Sequence, residues 1–233
     1  MSNEIKMVVF DMAGTTVNEN NIVYKSLHKA ISESSFSISQ EQVTEHAAGR
    51  EKIQAIRSIL STFFHIDNEE MVMNIYKNFI RDLGKAYQTE KPVPQNYAEE
   101  VFRLLKMRNI IIVLNTGYDR ATAENILSLL GWKTGQQIDA LVTASDVDKK
   151  RPDPAMIYFA MKCFDITDCL EVIKVGDSAI DIQEGQNAGC QLNIGITTGA
   201  HSFEQLRSAS PDYIINDLME LIPLIDGETG LVI

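Results

Sequence analysis

Cysteine, histidine, proline and basic residues are all scarce in this 233-residue chain. Its three cysteines, Cys163, Cys169 and Cys190, are odd in number and show no Cys-x-x-Cys spacing. That argues against a disulfide framework and a zinc site, and it fits reduced thiols packed in a cytoplasmic protein. Four histidines, His28, His46, His65 and His201, lie scattered without metal-ligand spacing and read as ordinary polar side chains. With 6 Pro, 13 Gly, 45% hydrophobic and 23% charged residues, the composition is that of a folded globular chain, not a disordered or collagen-like one. Lys and Arg number 21 against 32 Asp and Glu, a net charge of −11. A broad nucleic-acid-binding surface is therefore not expected, and any anionic substrate must find its own local positive charge. The longest apolar runs, Met7 to Phe10 and Ile110 to Leu114, are too short to span a membrane. The opening residues lack the basic region and apolar stretch of a signal peptide.

What the chain does have is alternation. Strand candidates fall at Lys6–Phe10, Ile110–Asn115, Ala140–Thr143, Val172–Val175, Gln191–Ile196 and Tyr213–Ile215. Between several of them lie helical patterns such as Ala121–Leu130, which Gly131 would stop. Alternation of this kind predicts an α/β fold, a parallel sheet with helices on both faces and ligands beyond the carboxyl ends of its strands. One stretch departs from it. Residues 17–90 show only helical patterns, at Val23–Ser34, Gln40–His46, Lys52–Phe64 and Glu69–Tyr87, and residues 88–96 then read as a linker. The simplest reading is a helical insertion after the first strand, able to hinge over the strand ends as a lid.

The chemistry-bearing residues follow the strand candidates. The first strand runs into Asp11-Met-Ala-Gly-Thr-Thr16, a tight turn exposing a carboxylate and backbone amides; taken alone, it reads equally well as a turn with a capping aspartate. The second ends in Asn115-Thr-Gly-Tyr-Asp119, where a hydroxyl and a glycine amide at a helix start make an anion site or an ordinary cap. Lys149-Lys-Arg-Pro-Asp-Pro154 places basic residues in a turn. Gly176-Asp-Ser-Ala-Ile-Asp181 sets Asp177 and Asp181 four apart at a strand–helix junction, a pair suited to a hard cation such as Mg²⁺.

A carboxylate, a Thr-Gly cradle, a cation and an acidic pair, in that order, resemble the four signature motifs of the haloacid dehalogenase-like hydrolase superfamily across residues 5–16 and 93–216. The resemblance implies a doubly wound, Rossmann-like core of residues 1–16 and 93–233 carrying a helical cap domain at 17–92. It implies that Asp11 is a nucleophile forming an aspartyl-phosphate. By the same resemblance Asp11, the Ala13 carbonyl and Asp177 hold Mg²⁺, Thr116 and the Gly117 amide take phosphoryl oxygens, and Arg151 neutralises charge. Asp181 would serve at or just behind the metal. The implied partner is a small-molecule phosphonate or phosphate, with neither nucleic acid nor membrane, and a homodimer through the cap.

Two departures narrow the resemblance. Most phosphatases of the superfamily carry a general-acid aspartate two residues after the nucleophile, where this chain has Ala13, and a lysine where it has Arg151. Both features are similar to phosphonoacetaldehyde hydrolases, as is Tyr118 after the Thr-Gly pair. That family uses a cap lysine, and Gly49-Arg-Glu-Lys52 offers one in a matching local pattern. At about 3.6 residues per turn Lys52 aligns with Ile56, Ile59, Leu60 and Phe63, at the edge of an apolar helix face. Read without the resemblance, it is a solvated lysine beside Glu51. The family's usual methionine and histidine are Ala48 and Ala55 here.

The two departures belong together chemically. Breaking a carbon–phosphorus bond leaves a carbanion, but a protonated Schiff base one carbon away accepts the electron pair, so an enamine departs and no leaving-group acid is needed. A phosphate ester deprived of its general acid forfeits about 10²–10⁴ in rate. The lysine must be uncharged to attack, and a buried interface, with Arg50 or Arg57 nearby, would lower its pKa. The sequence therefore predicts cleavage of a 2-oxoalkylphosphonate through Asp11 and a Lys52 imine. The alternative is a phosphomonoester phosphatase of the same superfamily in which Lys52 only binds substrate.

Overall fold

A run such as Met7-Val-Val-Phe10, with no polar residue, is buried on both sides only within a sheet covered on both faces. The computed structural model, which describes residues 4–227, makes this run strand β1 (Met7–Phe10). A short β2 (Val17–Asn18) follows, then four helices: α1 (Ile22–Glu33), α2 (Gln40–Ala47), α3 (Lys52–Phe64) and α4 (Glu69–Thr89). After β3 (Val93–Pro94) the chain alternates through α5 (Ala98–Met107), β4 (Ile111–Thr116), α6 (Arg120–Leu130), β5 (Ala140–Thr143) and α7 (Ala155–Cys163). It ends with β6 (Val172–Gly176), α8 (Ala179–Ala188), β7 (Leu192–Ile196), α9 (Phe203–Ser208), β8 (Tyr213–Ile215) and α10 (Leu221–Ile225).

The main sheet has the order β5-β4-β1-β6-β7-β8, and every neighbouring pair is parallel. It is the doubly wound α/β architecture that the alternation predicts. Successive side chains point to opposite faces, and both faces are apolar. Val8, Phe10, Ile112, Leu114, Ile173 and Val175 pack in one cluster with residues of α5 and α6, while Met7, Val9, Val113 and Val142 pack with Met156, Ile157 and Ala160 of α7. The chain leaves β1 for β4 on one side and returns to β6 on the other, so the ends of β1, β4 and β6 meet where the order reverses. Ligands of such sheets bind at that place.

The four helices α1–α4 are inserted between β1 and the rest of the sheet, and α1 packs along α4 through buried Leu27, Ile31, Phe79 and Leu83. Polar side chains set their starts. Ser39 and Gln42 form a capping box on α2, and the Glu51 carboxylate accepts from the Ile53 and Gln54 amides at α3. The reading of residues 17–90 as free of strands, and of 88–96 as a linker, is corrected by the structure. Val17 pairs with Pro94 and Asn18 with Val93 in an antiparallel two-residue ribbon. A strand of two residues has no periodicity to read, and its partner lies far along the chain. Among the described residues no helix is long and apolar enough to cross a membrane.

The insertion's helices depend on their shared core. Phe79→Ala, which empties a fully buried ring site on α4, is expected to cost about 3–5 kcal/mol in urea denaturation, and a loss below about 1 kcal/mol would show that this ring does not hold α1 to α4.

Candidate active site

The turn after β1 is built around one carbonyl. Met12 O accepts the amides of Thr15, Thr16 and Val17 at 3.2, 3.0 and 2.8 Å, and Thr16 Oγ1 donates back to Asp11 O at 2.9 Å. Thr198 Oγ1 donates to Gly14 O at 2.7 Å, whereas Ala13 O accepts none of the hydrogen bonds among the described residues. The turn thus fixes the Asp11 backbone at the strand end and leaves the Ala13 carbonyl unused by the protein.

Behind Asp11 lies a dense buried charge network. Arg151 Nη1 is 2.7 Å from Asp11 Oδ1 and 2.8 Å from Asp181 Oδ1, Nη2 donates to Asn115 O at 2.8 Å, and Nε is 2.8 Å from Glu184 Oε2. Lys174, wholly buried in the middle of β6, sits 3.0 Å from Asp181 Oδ1 and 3.3 Å from Glu184 Oε2, and donates to Asn115 Oδ1 at 3.1 Å. Ser178 Oγ donates to Asp181 Oδ2 at 2.5 Å. Asp177 Oδ2 accepts from the Ala200 amide at 2.6 Å. Burial raises the Asp11 carboxyl to about 6, with repulsion from Asp181 adding to it and Arg151 and Lys174 opposing. Burial first, then Asp11 and Asp181, push Asp177 well above the carboxylate range. Asp181 goes the other way, to about 2, because Arg151 and Lys174 overcome its burial.

On the other side of Asp11 is a small cavity of about 10 Å³, roughly the space one water centre occupies. Asp11 and Ala13 form its floor, Thr116, Gly117 and Tyr118 one wall, and Lys52, Gly49, Val23 and Tyr24 from the insertion the other. Two glycines let the walls meet. A Cβ on Gly117 would lie 2.7 Å from Arg50 O, and one on Gly49, at φ +67°, would lie 2.4 Å from Ser178 Oγ. Lys52 opens α3 only 7% exposed, and its Nζ donates to Arg50 O at 2.8 Å and Ala47 O at 3.2 Å. The amine lies 5.6 and 5.8 Å from the ring centroids of Tyr24 and Tyr118. Burial lowers its pKa to about 8; Asp11, Glu51 and Glu19 pull upward and Arg151 pushes down.

All nine residues singled out in the sequence therefore lie at one place. Asp11, Ala13, Lys52, Thr116, Gly117 and Tyr118 line the cavity, and Arg151, Asp177 and Asp181 stand beside or behind Asp11. Arg151 is enclosed by protein partners and grips the nucleophile candidate itself. The expectation that Arg50 or Arg57 depresses Lys52 is corrected: neither is among the leading influences, Arg57 turns outward to Glu69 at 2.8 Å, and Arg151 is the cation that lowers it. Of the basic turn, Lys149 is exposed and paired with Asp153, and only Arg151 enters the site. Lys174 and Glu184 escaped the sequence reading. Their signals were a charge inside the apolar run Val172–Val175 and a carboxylate three residues after Asp181 on one helix face.

Comparison with known proteins gives the family and the fold. The family model described as haloacid dehalogenase-like hydrolase matches residues 8–194. The chain belongs to the haloacid dehalogenase-like hydrolases. It is 27% identical to a phosphonoacetaldehyde hydrolase of Latilactobacillus sakei over 94% of each chain, and 28% identical to a pyrophosphatase PpaX of Bacillus mycoides over 97% of this chain and 100% of that one. Among solved structures, a phosphonoacetaldehyde hydrolase-like protein of Oleispira antarctica superposes with a TM-score of 0.84 at 20% identity, over 97% of this chain and 93% of the other, which speaks to the shared fold.

The hydrolase's own residues fit a divalent cation. Oxygens of Asp11, Asp177 and Asp181 lie within 4.8 Å of one another, all buried. Four buried carboxylates, Asp11, Asp177, Asp181 and Glu184, face two buried cations, Arg151 and Lys174, and negative charge stays in excess even with Lys52 counted. Burial raises the Asp11 and Asp177 carboxyls first, and repulsion from the neighbouring carboxylates adds to it. Mg²⁺ at about 100 times its Kd is therefore expected to stabilise the hydrolase by about 2.7 kcal/mol, a rise of roughly 5–10 °C in melting temperature. Asp177→Asn should melt higher than wild type without metal, since it removes a buried charge that costs stability once ionised, and should abolish the Mg²⁺-dependent rise. A metal-free variant melting below wild type would refute this account.

Proposed function

We propose that this hydrolase cleaves the carbon–phosphorus bond of a small 2-oxoalkylphosphonate such as phosphonoacetaldehyde. The observation that carries the reading is a buried lysine of lowered pKa facing Asp11 across a cavity whose floor has alanine at position 13. Residues 17–92 act as the cap, with Lys52 brought to the core on α3. A free Lys52 amine condenses with the aldehyde and expels water, and the imine takes up a proton. Asp11, oriented by Arg151, attacks phosphorus in line; the C–P bond breaks and its electron pair moves into the imine, leaving an enamine on Lys52 and an aspartyl-phosphate on Asp11. Water then hydrolyses both. The Thr116 hydroxyl and Gly117 amide hold phosphoryl oxygens, and Tyr118 closes the wall beside the imine. Mg²⁺, held by Asp11, Asp177 and the Ala13 carbonyl, would supply positive charge against the phosphoryl oxygens.

Removal of Ala13's missing acid from the scheme costs nothing here, because the enamine leaves without a proton. Burial serves the same scheme, since a lysine near 8 holds a useful fraction of free amine at neutral pH while an ordinary one near 10.5 holds almost none. A second reading, hydrolysis of a small phosphate ester or pyrophosphate, has its own support. Lys52 donates to two backbone carbonyls as a brace would, and pyrophosphatases stand among the relatives at the same identity.

The two readings part on the lysine. With phosphonoacetaldehyde and Mg²⁺, wild type is expected to release phosphate and acetaldehyde in equal amounts and Lys52→Arg neither above background. Because the amine reacts only when deprotonated, kcat/KM should rise with pH and level off above about 8. Equal activity of wild type and Lys52→Arg, or turnover of phosphate esters alone, would favour the second reading.

A further inference from the structure

The proposed scheme contains a step for which none of the residues assigned so far supplies an atom. After the C–P bond breaks, the terminal carbon of the enamine must gain a proton before the imine can be hydrolysed. Ala13 has none to give, and no histidine lines the cavity. A chain of three buried oxygen groups does reach its wall. Glu19, between β2 and α1, is 4% exposed; its Oε2 accepts from the Val23 amide at 2.8 Å and, as a carboxylate, from Tyr87 Oη on α4 at 3.4 Å, a bond that reverses when the carboxyl is protonated and frees the Tyr87 proton for Tyr118. Tyr87 Oη lies 3.2 Å from Tyr118 Oη, and Tyr118 lines the cavity together with Lys52, whose amine lies 5.8 Å from its ring centroid. The carboxyl is thus linked by hydrogen bonds to the site while being walled off from water.

We propose that Glu19 is the proton store for the enamine on Lys52, delivering through Tyr87 to Tyr118; the proposal rests on the imine reading above. In this step the Tyr118 O–H bond breaks and a C–H bond forms at the terminal enamine carbon, while the nitrogen lone pair becomes the C=N bond. Tyr118 oxygen takes the Tyr87 proton and Tyr87 oxygen takes that of the Glu19 carboxylic acid. An iminium on Lys52 and a Glu19 carboxylate result. Water then adds to the iminium carbon, acetaldehyde leaves, the amine is freed, and the one proton released returns to Glu19. Glu19 and Tyr87 touch no substrate, so they are positioning residues acting through Tyr118.

The surroundings suit a carboxyl that holds its proton near neutrality. Burial raises Glu19 to about 7, against the Val23 amide and Lys25 from α1, Tyr87 from α4 and Lys52 from α3. Burial also holds both tyrosines well above their ordinary value, so the three protons move together and no standing phenolate forms.

The test separates two phases of one turnover with phosphonoacetaldehyde and Mg²⁺, loss of the C–P bond and continuous release of acetaldehyde. Glu19→Gln keeps an acceptor for the Val23 amide and Tyr87, and Tyr87→Phe keeps the ring in the core. In Tyr87→Phe, C–P cleavage should stay within about twofold of wild type, and in Glu19→Gln, which removes a carboxylate that holds the Lys52 amine protonated, it should not slow, while acetaldehyde release slows by about 10²–10⁴ in both. The wild-type release phase should slow as pH rises through about 7, where Glu19 loses its proton, and that dependence should vanish in Glu19→Gln. Borohydride should attach the substrate to Lys52 in wild type and both variants. An adduct together with unchanged acetaldehyde release, or with both phases slowed alike, overturns the relay alone. Absence of the adduct in wild type overturns the imine reading and the relay with it.

Discussion

The structure depends on one constraint, the concentration of negative charge where β1, β4 and β6 end. Arg151 meets it by reaching three carboxylates with one guanidinium, and Lys174 meets it from within the sheet. Asn115 completes the network, donating to Glu184 Oε1 at 3.0 Å and accepting from Lys174. Buried pairs of this kind contribute little net stability over an apolar core, yet losing one member leaves an expensive unpaired charge. Their effect here is positional. They tie the turn before α7, the middle of β6 and the first turns of α8 to Asp11, and so hold the nucleophile candidate in a fixed orientation.

The same field acts across the cavity on Lys52. Its burial favours the neutral amine, Arg151 adds to that, and Asp11, Glu51 and Glu19 oppose it. A lysine placed equally deep without these carboxylates would be neutral at far lower pH; one placed at the surface would be charged throughout. A value near 8 is the resultant of a low dielectric and a ring of acids, which is how a single fold sets an amine between binding and reaction. The face of Tyr24 and that of Tyr118 offer the charged form, or an iminium in its place, a further weak attraction.

Much of this was legible in the sequence, for definite reasons. The parallel sheet announced itself through short, mostly apolar runs alternating with helical patterns, and the strand ends through Asp11, the Thr116-Gly117 pair and Asp177. Lys52 was visible because it edges the helix face of Ile56, Ile59 and Leu60, all buried. What escaped depended on distance along the chain. The Val17–Pro94 ribbon is too short for a period, and Glu19 meets Tyr87 only because α4 packs back along α1 within the insertion. The direction in which Arg151 points is likewise a property of the assembled strand ends, since a basic turn looks the same whether its arginine faces water or three carboxylates.

Cavity size gives the remaining constraint. At about 10 Å³ the space between Lys52 and Asp11 admits no phosphonate, so entry of a substrate requires the seam between insertion and core to part. Polar contacts cross that seam from Tyr76 Oη to Asp119 Oδ2 at 3.1 Å, in the Tyr87–Tyr118 pair, from Arg151 Nη1 to Gly49 O at 3.3 Å and between His201 and the Glu45 backbone. Each is worth about 0.5–1.5 kcal/mol net, and the apolar side chains that insertion and core share in one cluster add to what opening must overcome. The two-residue ribbon joins insertion to core at both chain crossings, which suits it to serve as the hinge. Closing then does two things at once. On the imine reading proposed above, it would carry Lys52 to the aldehyde carbon and rejoin Tyr87 to Tyr118, so that a proton path exists only when the site is shut and water is excluded.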